Sequence, residues 1–503
     1  MVSKVRGVPV AWTKYPAPYR SVPDPPGKGG PVTTFQILFG APPPPLAQNP
    51  WLQEFNKRLN VQWQATLADS PDYTDKLNTL ASSGSFPDIT YINFNPDGVY
   101  GGAAFEKFVQ EGAFHDLTDM LTGSSLKQWP NLTLLPEQTW KGSSFEGRLY
   151  GVPYPIQIVN AQLQLIRQDW AEKLGVANPK NANEVMKMFV AFSKGHPNGR
   201  SSTKKTWGLS LPYANVWQAM YRVPNNWRLN SDGSLTKDLE TEEYKQALDF
   251  AAQLWRKGAF EPEALTNTSN DETSFFEGGQ VGILGGGGTE QFGDQPNTET
   301  TVTKENDPSA NPQPWSPPGA DGGKALFPQT SGNYGFGAIP TTIKSEARVM
   351  ELIGLMNWCA APFGSEEFIF YYDGIPGQMY NEEGGEPVAV SNGNQDWSSG
   401  LNYLCGTTEV NYYFSHQPNE ATLIQKFQEQ QLQQSVADPT VNLYSPTWVQ
   451  QAGNLIQVQQ NGYNDIFVGR KPLSSLNDLI SSWKSQGGDQ VRKEFEQSLK
   501  RCG

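Results

Sequence analysis

The chain has 503 residues, of which 37% are hydrophobic and 18% charged, and its formal net charge at pH 7 is −13. So long a chain is expected to form two or more domains, and its 15 Trp, 19 Tyr and 25 Phe exclude a disordered protein. The acidic balance, with only short basic clusters such as Lys204-Lys205, argues against nucleic acid as a partner.

The first third of the chain alternates between strand and helix patterns. Residues 1–31 are rich in Pro and Gly and predict an extended strap. The predicted strands are Val32–Phe39, Val61–Leu67 and Pro87–Ile92, and the predicted helices are Trp51–Leu59, Tyr73–Ser82 and Gly102–Gln110. This order of β, α, β, α, β predicts a parallel sheet that is covered by helices.

Two later segments, Leu149–Pro155 and Asn333–Pro340, are predicted to be extended because their Pro and Gly residues oppose helix. Each is interpreted as a crossing between two lobes. Amphipathic helices are predicted after the first crossing, and a stretch of low complexity rich in Gly, Pro, Asn and Thr covers Gly285–Gly323. The chain beyond the second crossing is predicted to be largely helical.

Several kinds of site are excluded by the residue types present. No run approaches the roughly 18 apolar residues of a membrane-spanning helix. The cysteines Cys359, Cys405 and Cys502 are widely spaced and predict neither a disulfide framework nor a zinc site. No G-x-S-x-G, H-E-x-x-H or P-loop motif occurs in the sequence. We therefore predict no catalytic residue, no metal and no cofactor.

A set of short motifs follows the order typical of one protein family. They are SFPDI (85–89), GRLYGVPY (147–154), RQDWAEKLG (167–175), AQLWRKGAFEPE (252–263), FFEGGQVGI (275–283) and YDGIPG (372–377). Each motif is weakly specific, but together they extend over most of the chain. The chain resembles the extracellular solute-binding proteins of bacterial carbohydrate ABC importers (family 1), and within them the large lipoprotein-like members that take oligosaccharides.

The resemblance implies an α/β fold like that of periplasmic binding proteins, with two lobes, each a sheet flanked by helices, joined by crossover hinge segments. The N-terminal lobe is expected to comprise 32–152 and about 335–395, and the C-terminal lobe 153–334 and about 396–503. The implied function is that of a transporter subunit and not an enzyme: a monomer captures an oligosaccharide by hinge closure and delivers it to the permease subunits of an ABC importer. Export to the extracellular face of the membrane or to the periplasm is implied, with a lipid anchor on the precursor.

One stretch departs from the pattern of this family. Its large members often carry an acidic, EF-hand-like calcium loop, and the equivalent stretch here is Gly195–Thr206. Calcium needs several carboxylate oxygens, whereas this stretch has none and contains Arg200, Lys204 and Lys205. No calcium site is predicted there.

The candidate ligand site follows from the chemistry of a sugar, which presents apolar C–H faces and an edge of hydroxyl groups. Such a ligand calls for aromatic rings and fixed polar groups. Ligands of open α/β sheets bind beyond the carboxyl ends of strands, and the crossings should form the cleft floor. The candidate ligand-binding residues are Phe39, Asn93, Phe94, Asn95, Tyr154, Gln157, Trp217, Tyr221, Trp227, Gly286, Gly287, Tyr334 and Trp397.

Structural roles compete with this interpretation. The segment Asn93–Asn95 fits an Asn-rich turn equally well, and Gly286-Gly287 fits a plain loop. Trp217 and Tyr221 share one face of a helix, where aromatic side chains pack in the core more often than against a ligand.

Two other classes of function stay open. A sugar-active hydrolase or lyase needs a pair of carboxylates, which can always be nominated among 51 Asp and Glu. A surface adhesion protein would bind immobilised polymer without closing. Within the transport class, a peptide, a lipid-linked or a phosphate-bearing solute is the alternative ligand, but few Arg and Lys lie near the cleft segments, which argues against an anionic one.

Overall fold

A computed structural model describes residues 2–22, 25–93, 102–159, 164–285, 298–390, 397–404, 406 and 411–502. Its strands are β1 Val10–Ala11, β2 Pro31–Leu38, β3 Gln62–Asp69, β4 Ile89–Ile92, β5 Ser144–Phe145, β6 Arg148–Leu149, β7 Gly151–Pro155, β8 Gln164–Arg167, β9 Trp227–Leu229, β10 Leu235–Lys237, β11 Ile283–Leu284, β12 Pro312–Trp315, β13 Phe327–Pro328, β14 Asn333–Ala338, β15 Tyr380–Glu383, β16 Glu386–Ala389, β17 Asn411–Tyr412 and β18 Ser435–Val436. Its α-helices are α1 Pro50–Leu59, α2 Tyr73–Ser83, α3 Gly102–Gln110, α4 Thr118–Leu121, α5 Glu137–Gly142, α6 Gln168–Lys173, α7 Ala182–Lys194, α8 Ala214–Tyr221, α9 Glu242–Arg256, α10 Ser269–Glu277, α11 Glu299–Asn306, α12 Glu346–Cys359, α13 Glu366–Phe368, α14 Pro418–Leu432, α15 Pro446–Phe467, α16 Leu476–Trp483 and α17 Asp489–Cys502.

The main sheet has five strands in the order β3-β2-β4-β14-β7. β2 pairs in parallel with both β3 and β4, which confirms the parallel arrangement predicted from the order of elements. β14 returns much later in the chain and is antiparallel to both of its neighbours, β4 and β7. The carboxyl ends of β2, β4 and β7 therefore share one edge of the sheet with the amino end of β14.

Helix α1 shows how the sequence fixes an element beside this sheet. Asn49 precedes it and its side chain accepts a hydrogen bond from the backbone of Leu52, while Pro50 occupies the first turn, where no amide donor is needed. Trp51 and Phe55 are four residues apart, stack at 4.9 Å between ring centroids, and are buried. Their burial holds the helix against the sheet.

Two large hydrophobic cores divide the molecule. The first gathers buried residues from Val32 to Val152 and again from Phe336 to Leu404. The second gathers them from Ile166 to Ile283 and again from Leu443 to Phe495. The exact division of the lobes stays a prediction, although Leu401 and Leu404 pack in the first core, beyond the predicted change of lobe near residue 395.

The second core contains a three-stranded antiparallel sheet in the order β11-β8-β12. At the end of β8, Arg167 is buried, and its guanidinium lies 4.8 Å from the ring centroid of Trp170. The same guanidinium pairs with Asp169 at 2.7 Å and with Asp307 at 2.8 Å. The Arg-x-Asp-Trp motif therefore has a structural role here, because it fixes the end of β8 to the helix that follows.

The two predicted crossings lie side by side. The backbone of Ile156 donates to the carbonyl of Gly332 at 3.2 Å, and the backbone of Thr330 donates to the carbonyl of Ile158 at 2.7 Å. Next to them, β13 pairs in parallel with β18, so a third stretch of chain joins the same junction. These hydrogen bonds couple the connections between the two cores.

The N-terminal strap packs on the rest of the molecule. β1 pairs with β17, and both the backbone and the hydroxyl of Ser21 donate to Oε2 of Glu367 at 2.9 Å. The backbone of Lys28 donates to Glu351 at 2.8 Å. The strap is thus held by several polar contacts along its length.

Two negative findings apply to the described residues. None of their helices combines the length and the apolar character needed to cross a membrane. They also contain no group of three or more His, Cys, Asp and Glu arranged to hold a metal ion. In the loop Gly195–Thr206, which contains no carboxylate, Asn198 donates to the backbone carbonyl of Gly279 at 2.8 Å and Lys204 donates to that of Gly278 at 3.0 Å.

Candidate functional site

The shared edge of the main sheet collects several of the predicted ligand-binding residues. Phe39 follows β2 and Asn93 follows β4, while Tyr154 lies one residue before the end of β7 and Tyr334 is the second residue of β14. Because β14 runs opposite to its neighbours, its amino end meets their carboxyl ends. The topology therefore brings together residues that are far apart in the sequence.

Four aromatic rings meet at this edge, and we name Phe39, Tyr154, Tyr334 and Tyr403 the aromatic cluster. Tyr403 lies 5.4 Å from Phe39, 6.1 Å from Tyr154 and 6.2 Å from Tyr334, between ring centroids. Tyr154 and Tyr334 are 5.8 Å apart. The three tyrosines are half-buried and Phe39 is 41% exposed, so each residue keeps some accessible surface at this edge. Aromatic rings suit the apolar side of a sugar ring.

A buried amide lies beneath the aromatic cluster. Nδ2 of Asn93 donates to the backbone carbonyl of Tyr334 at 3.0 Å and to the hydroxyl of Tyr91 at 3.3 Å. Its Oδ1 is buried and has no hydrogen-bond partner among the described residues. An unpaired buried acceptor is costly, so Oδ1 is suited to accept from a ligand hydroxyl. Gln157, also buried, follows β7 at the first crossing.

A glycine makes this arrangement possible. A Cβ at Gly335 would lie 2.5 Å from the hydroxyl oxygen and a ring carbon of Tyr91. Only glycine lets the Tyr91 hydroxyl approach closely enough to donate to the carbonyl of Tyr334, at 3.0 Å. The position of the Tyr334 ring therefore depends on the absence of a side chain at the next residue.

The second sheet presents a different edge at the junction. Gln164 begins β8 just after the first crossing; it is 1% exposed, and neither amide atom has a partner in the described part of the chain. Gly285 follows the adjacent strand β11, and its backbone donates to Oε1 of Glu272 at 2.8 Å. The hydroxyl of Tyr213 donates to the same oxygen. Burial raises the pKa of the Glu272 carboxyl to about 8, so this side chain is largely protonated at neutral pH.

Other predicted residues lie away from the aromatic cluster. Trp217 is fully buried in the second core, 5.2 Å from Phe250, and its Nε1 donates to the carbonyl of Pro212. The structure thus places the Trp217 side chain within the second core. Tyr221 also packs on Phe250, at 5.8 Å.

Two tryptophans and four further positions complete the comparison with the prediction. Trp227 is buried and lines a separate cavity of the second core. Trp397 is half-buried and packs against the first core. Phe94, Asn95, Gly286 and Gly287 lie outside the described residues.

Comparison with known proteins decides the family. Residues 51–373 match the family described as bacterial extracellular solute-binding protein. This chain belongs to that family. A curated relative, the polygalacturonan/rhamnogalacturonan-binding protein YtcQ of Bacillus subtilis, is 22% identical over 497 residues, covering 95% of this chain and 93% of its own.

Solved structures show the same fold. The alginate-binding protein AlgQ2 superposes with a TM-score of 0.67 at 15% identity, covering 95% of this chain and 99% of its own. The ABC-transporter substrate-binding protein FusA of S. pneumoniae, in complex with kestose, has a TM-score of 0.66 at 15% identity, covering 93% and 98%. The predicted two-lobed α/β fold is confirmed. The family membership also confirms that this solute-binding protein is not an enzyme.

Sequence reasoning missed Tyr403, Tyr213, Glu272 and Gln164. Tyr403 enters the site through a late segment, and its ring contacts with Phe39 and Tyr154 leave no local pattern in the sequence. A polar residue at the start of the strand after a crossing is a usable signal, and Gln164 carries it. Nothing local marks Glu272, because its environment depends on the distant residues Tyr213 and Gly285.

Proposed function

We propose that this solute-binding protein captures a carbohydrate, most simply an oligosaccharide, between its two lobes and delivers it to an ABC importer. The observation that carries the proposal is the aromatic cluster above the unpaired Oδ1 of Asn93. Stacking rings and a fixed amide acceptor are the two elements that sugar recognition needs. The proteins compared above are described as binding polygalacturonan and rhamnogalacturonan, alginate, and kestose. All of these ligands are carbohydrates.

The proposed mechanism is hinge closure. The first lobe offers the aromatic cluster, and the second offers the unpaired amide of Gln164 next to the junction. A ligand that contacts both edges binds the closed form better than the open form and shifts the population toward it. The hydrogen-bonded crossings, Ile156 to Gly332 and Thr330 to Ile158, serve as the hinge.

Delivery requires a partner and a location. We propose that the closed, monomeric protein docks on the permease subunits of the importer. The family is extracellular, and we place the protein outside the cytoplasmic membrane, with a lipid anchor on its precursor. Treating intact cells with protease tests the location, since an exposed protein is digested while cytoplasmic proteins survive.

A thermal-shift screen against neutral and acidic mono- and oligosaccharides tests the ligand class. A ligand that binds only the folded protein raises the melting temperature by mass action. We expect at least one oligosaccharide to raise it while remaining uncleaved in the mixture. The Tyr334→Ala variant should lose the shift, because it removes a ring of the aromatic cluster.

Tyr150→Ala is the matched control. Tyr150 is a half-buried tyrosine of the same core that directly precedes β7, at the opposite end of that strand from Tyr154. If Tyr150→Ala abolishes the shift as strongly as Tyr334→Ala, the effect is on folding and not on the site. If no saccharide shifts the wild-type protein, the sugar proposal is wrong.

A further inference from the structure

A separate cavity of about 440 Å³ lies within the second lobe. Its lining residues come from segments 212–244 and 438–495, and so from α8, the β9–β10 hairpin, α15 and the C-terminal helices. It shares no lining residue with the aromatic cluster. Its volume falls within the range of roughly 300–1,000 Å³ that ligand pockets occupy.

Aromatic side chains form much of the cavity wall. Trp227 lies 5.8 Å from Trp483 and 6.0 Å from Phe495, between ring centroids, and Trp448 lines another part. Trp227, Trp483 and Phe495 are buried and fixed by contact with one another. The wall is therefore rigid and largely apolar.

The charged groups of the cavity are already paired. Nζ of Lys237 lies 2.8 Å from Asp238 and donates to the carbonyl of Asn226 at 3.1 Å. Oδ1 of Asp438 accepts from the backbone and the hydroxyl of Thr440, and its Oδ2 accepts from Asn226. With these partners in place, the cavity has little to offer an ionic ligand.

A neutral polar group is left over. The hydroxyl of Tyr463 is buried, and no residue of the described part of the chain hydrogen-bonds to it. Tyr463 lies on the face of α15 that also places Gln459, Gln460 and Asn464 in the cavity lining. Gln460 is exposed and the side chain of Gln459 bonds to Tyr244. One side of the cavity thus carries neutral donors and acceptors opposite the aromatic wall.

We infer that this cavity is a second binding site, which holds one neutral saccharide ring. The apolar face of the ring packs against the aromatic wall and its hydroxyls bond to the amides of α15 and to Tyr463. Paired charges disfavour a uronic acid or a phosphorylated sugar. The site belongs to the second lobe alone and does not depend on closure around the aromatic cluster.

Fluorine NMR of protein labelled with 5-fluorotryptophan tests this inference. Glucose, galactose, mannose and xylose are titrated separately into the millimolar range, with galacturonic acid as the charged comparison. We expect at least one neutral sugar to shift the resonances of Trp227, Trp448 and Trp483, each assigned by a Trp→Phe variant. Galacturonic acid should not shift them.

Two variants of the cavity and two control variants identify the site of binding. Tyr463→Phe removes only the unpaired hydroxyl and should raise the Kd about tenfold, while Gln460→Trp should block the cavity from its exposed position. Tyr221→Phe removes the same atom from a tyrosine of the same core outside the cavity, and should leave the Kd unchanged. Tyr334→Ala should also leave these resonance shifts intact, whereas it abolishes binding at the aromatic cluster.

The inference is overturned if none of the four neutral sugars shifts the three resonances, which would mean that the cavity holds water only. It is also overturned if the shifts persist undiminished in both Tyr463→Phe and Gln460→Trp. Failure of the proposed function has a different signature, since oligosaccharides would then give no thermal shift that Tyr334→Ala removes.

Discussion

Two groups of aromatic residues with the same predicted role differ in their surroundings. Tyr154 and Tyr334 lie near the ends of their strands at the edge of the main sheet and are only partly buried. Trp217, on helix α8, is completely buried. The difference teaches that the position of a ring at a strand end indicates access to ligand better than its position on an amphipathic helix, because the helix turns its aromatic face toward the core.

The largest expected effect tests the buried side of this comparison. Trp217→Ala should lower the free energy of unfolding by about 3–5 kcal/mol, because it leaves a cavity between Phe189 and Phe250. Urea denaturation followed by circular dichroism measures the loss. A folded variant with wild-type stability and weakened ligand binding would restore Trp217 as a ligand contact.

The second effect is a pH dependence of stability, which the carboxyl of Glu272 causes beside the β11-β8-β12 sheet. Burial raises the pKa of Glu272 from 4.5 to about 8, so the folded protein binds more protons than the unfolded chain between these values. Stability should therefore fall as the pH rises from about 4.5 to 8 and level off above. Glu272→Gln keeps an acceptor for Gly285 and Tyr213 and should remove the contribution of Glu272 to this slope, gaining on the order of 2 kcal/mol at pH 9.

A second buried acid provides the control for this pH dependence. Burial raises the pKa of Asp373 from 3.8 to about 7. The Asp373 carboxylate accepts a hydrogen bond from the hydroxyl of Tyr15 in the strap. Asp373→Asn should make the fall in stability less steep between about pH 4 and 7 only. The fall between about pH 7 and 8 should stay, because Glu272 causes it. Identical profiles for both variants would contradict the assignment of the slope to these two groups.

The third effect sharpens the case for the edge of the main sheet. Asn93→Ala should weaken ligand binding about tenfold, because the ligand loses the acceptor Oδ1. Isothermal titration calorimetry with the saccharide found in the thermal-shift screen gives the Kd. An unchanged Kd would show that Asn93 only supports Tyr334 and Tyr91.

The sequence predicted the fold more fully than the site. Strands β2, β3 and β4 and helices α1 and α2 lie within two residues of their predicted bounds, because hydrophobic period and local caps encode them. Phe39 and Asn93 could be named because each adjoins a predicted strand end, and Tyr154 and Tyr334 because they lie in the predicted crossings. Tyr403 and Glu272 could not, since the first reaches the site from a distant segment and the pKa of the second is set by burial. The burial of Trp217 could not be predicted, because helical spacing does not distinguish a core face from a ligand face.

The smallest effect compares two asparagines of the first lobe. Asn49 uses both ends of its amide, since Oδ1 accepts from Leu52 and Nδ2 donates to the carbonyl of Trp397 at 2.9 Å. Asn49→Ala should cost about 1 kcal/mol of stability through the lost cap of α1, with little change in the Kd. Asn93→Ala should also lower stability, because its Nδ2 donates to Tyr334 and Tyr91, but it alone should weaken ligand binding, since its Oδ1 has no partner among the described residues.

Urea denaturation and calorimetry on both variants complete this test. A loss of affinity in Asn93→Ala but not in Asn49→Ala would separate an amide that only completes the fold from an amide that also binds a ligand. If Asn49→Ala also weakens binding about tenfold, the segment around Trp397 takes part in ligand binding, because Asn49 is what fixes its backbone to α1. Trp397 would then be a ligand contact, which its half-buried position allows.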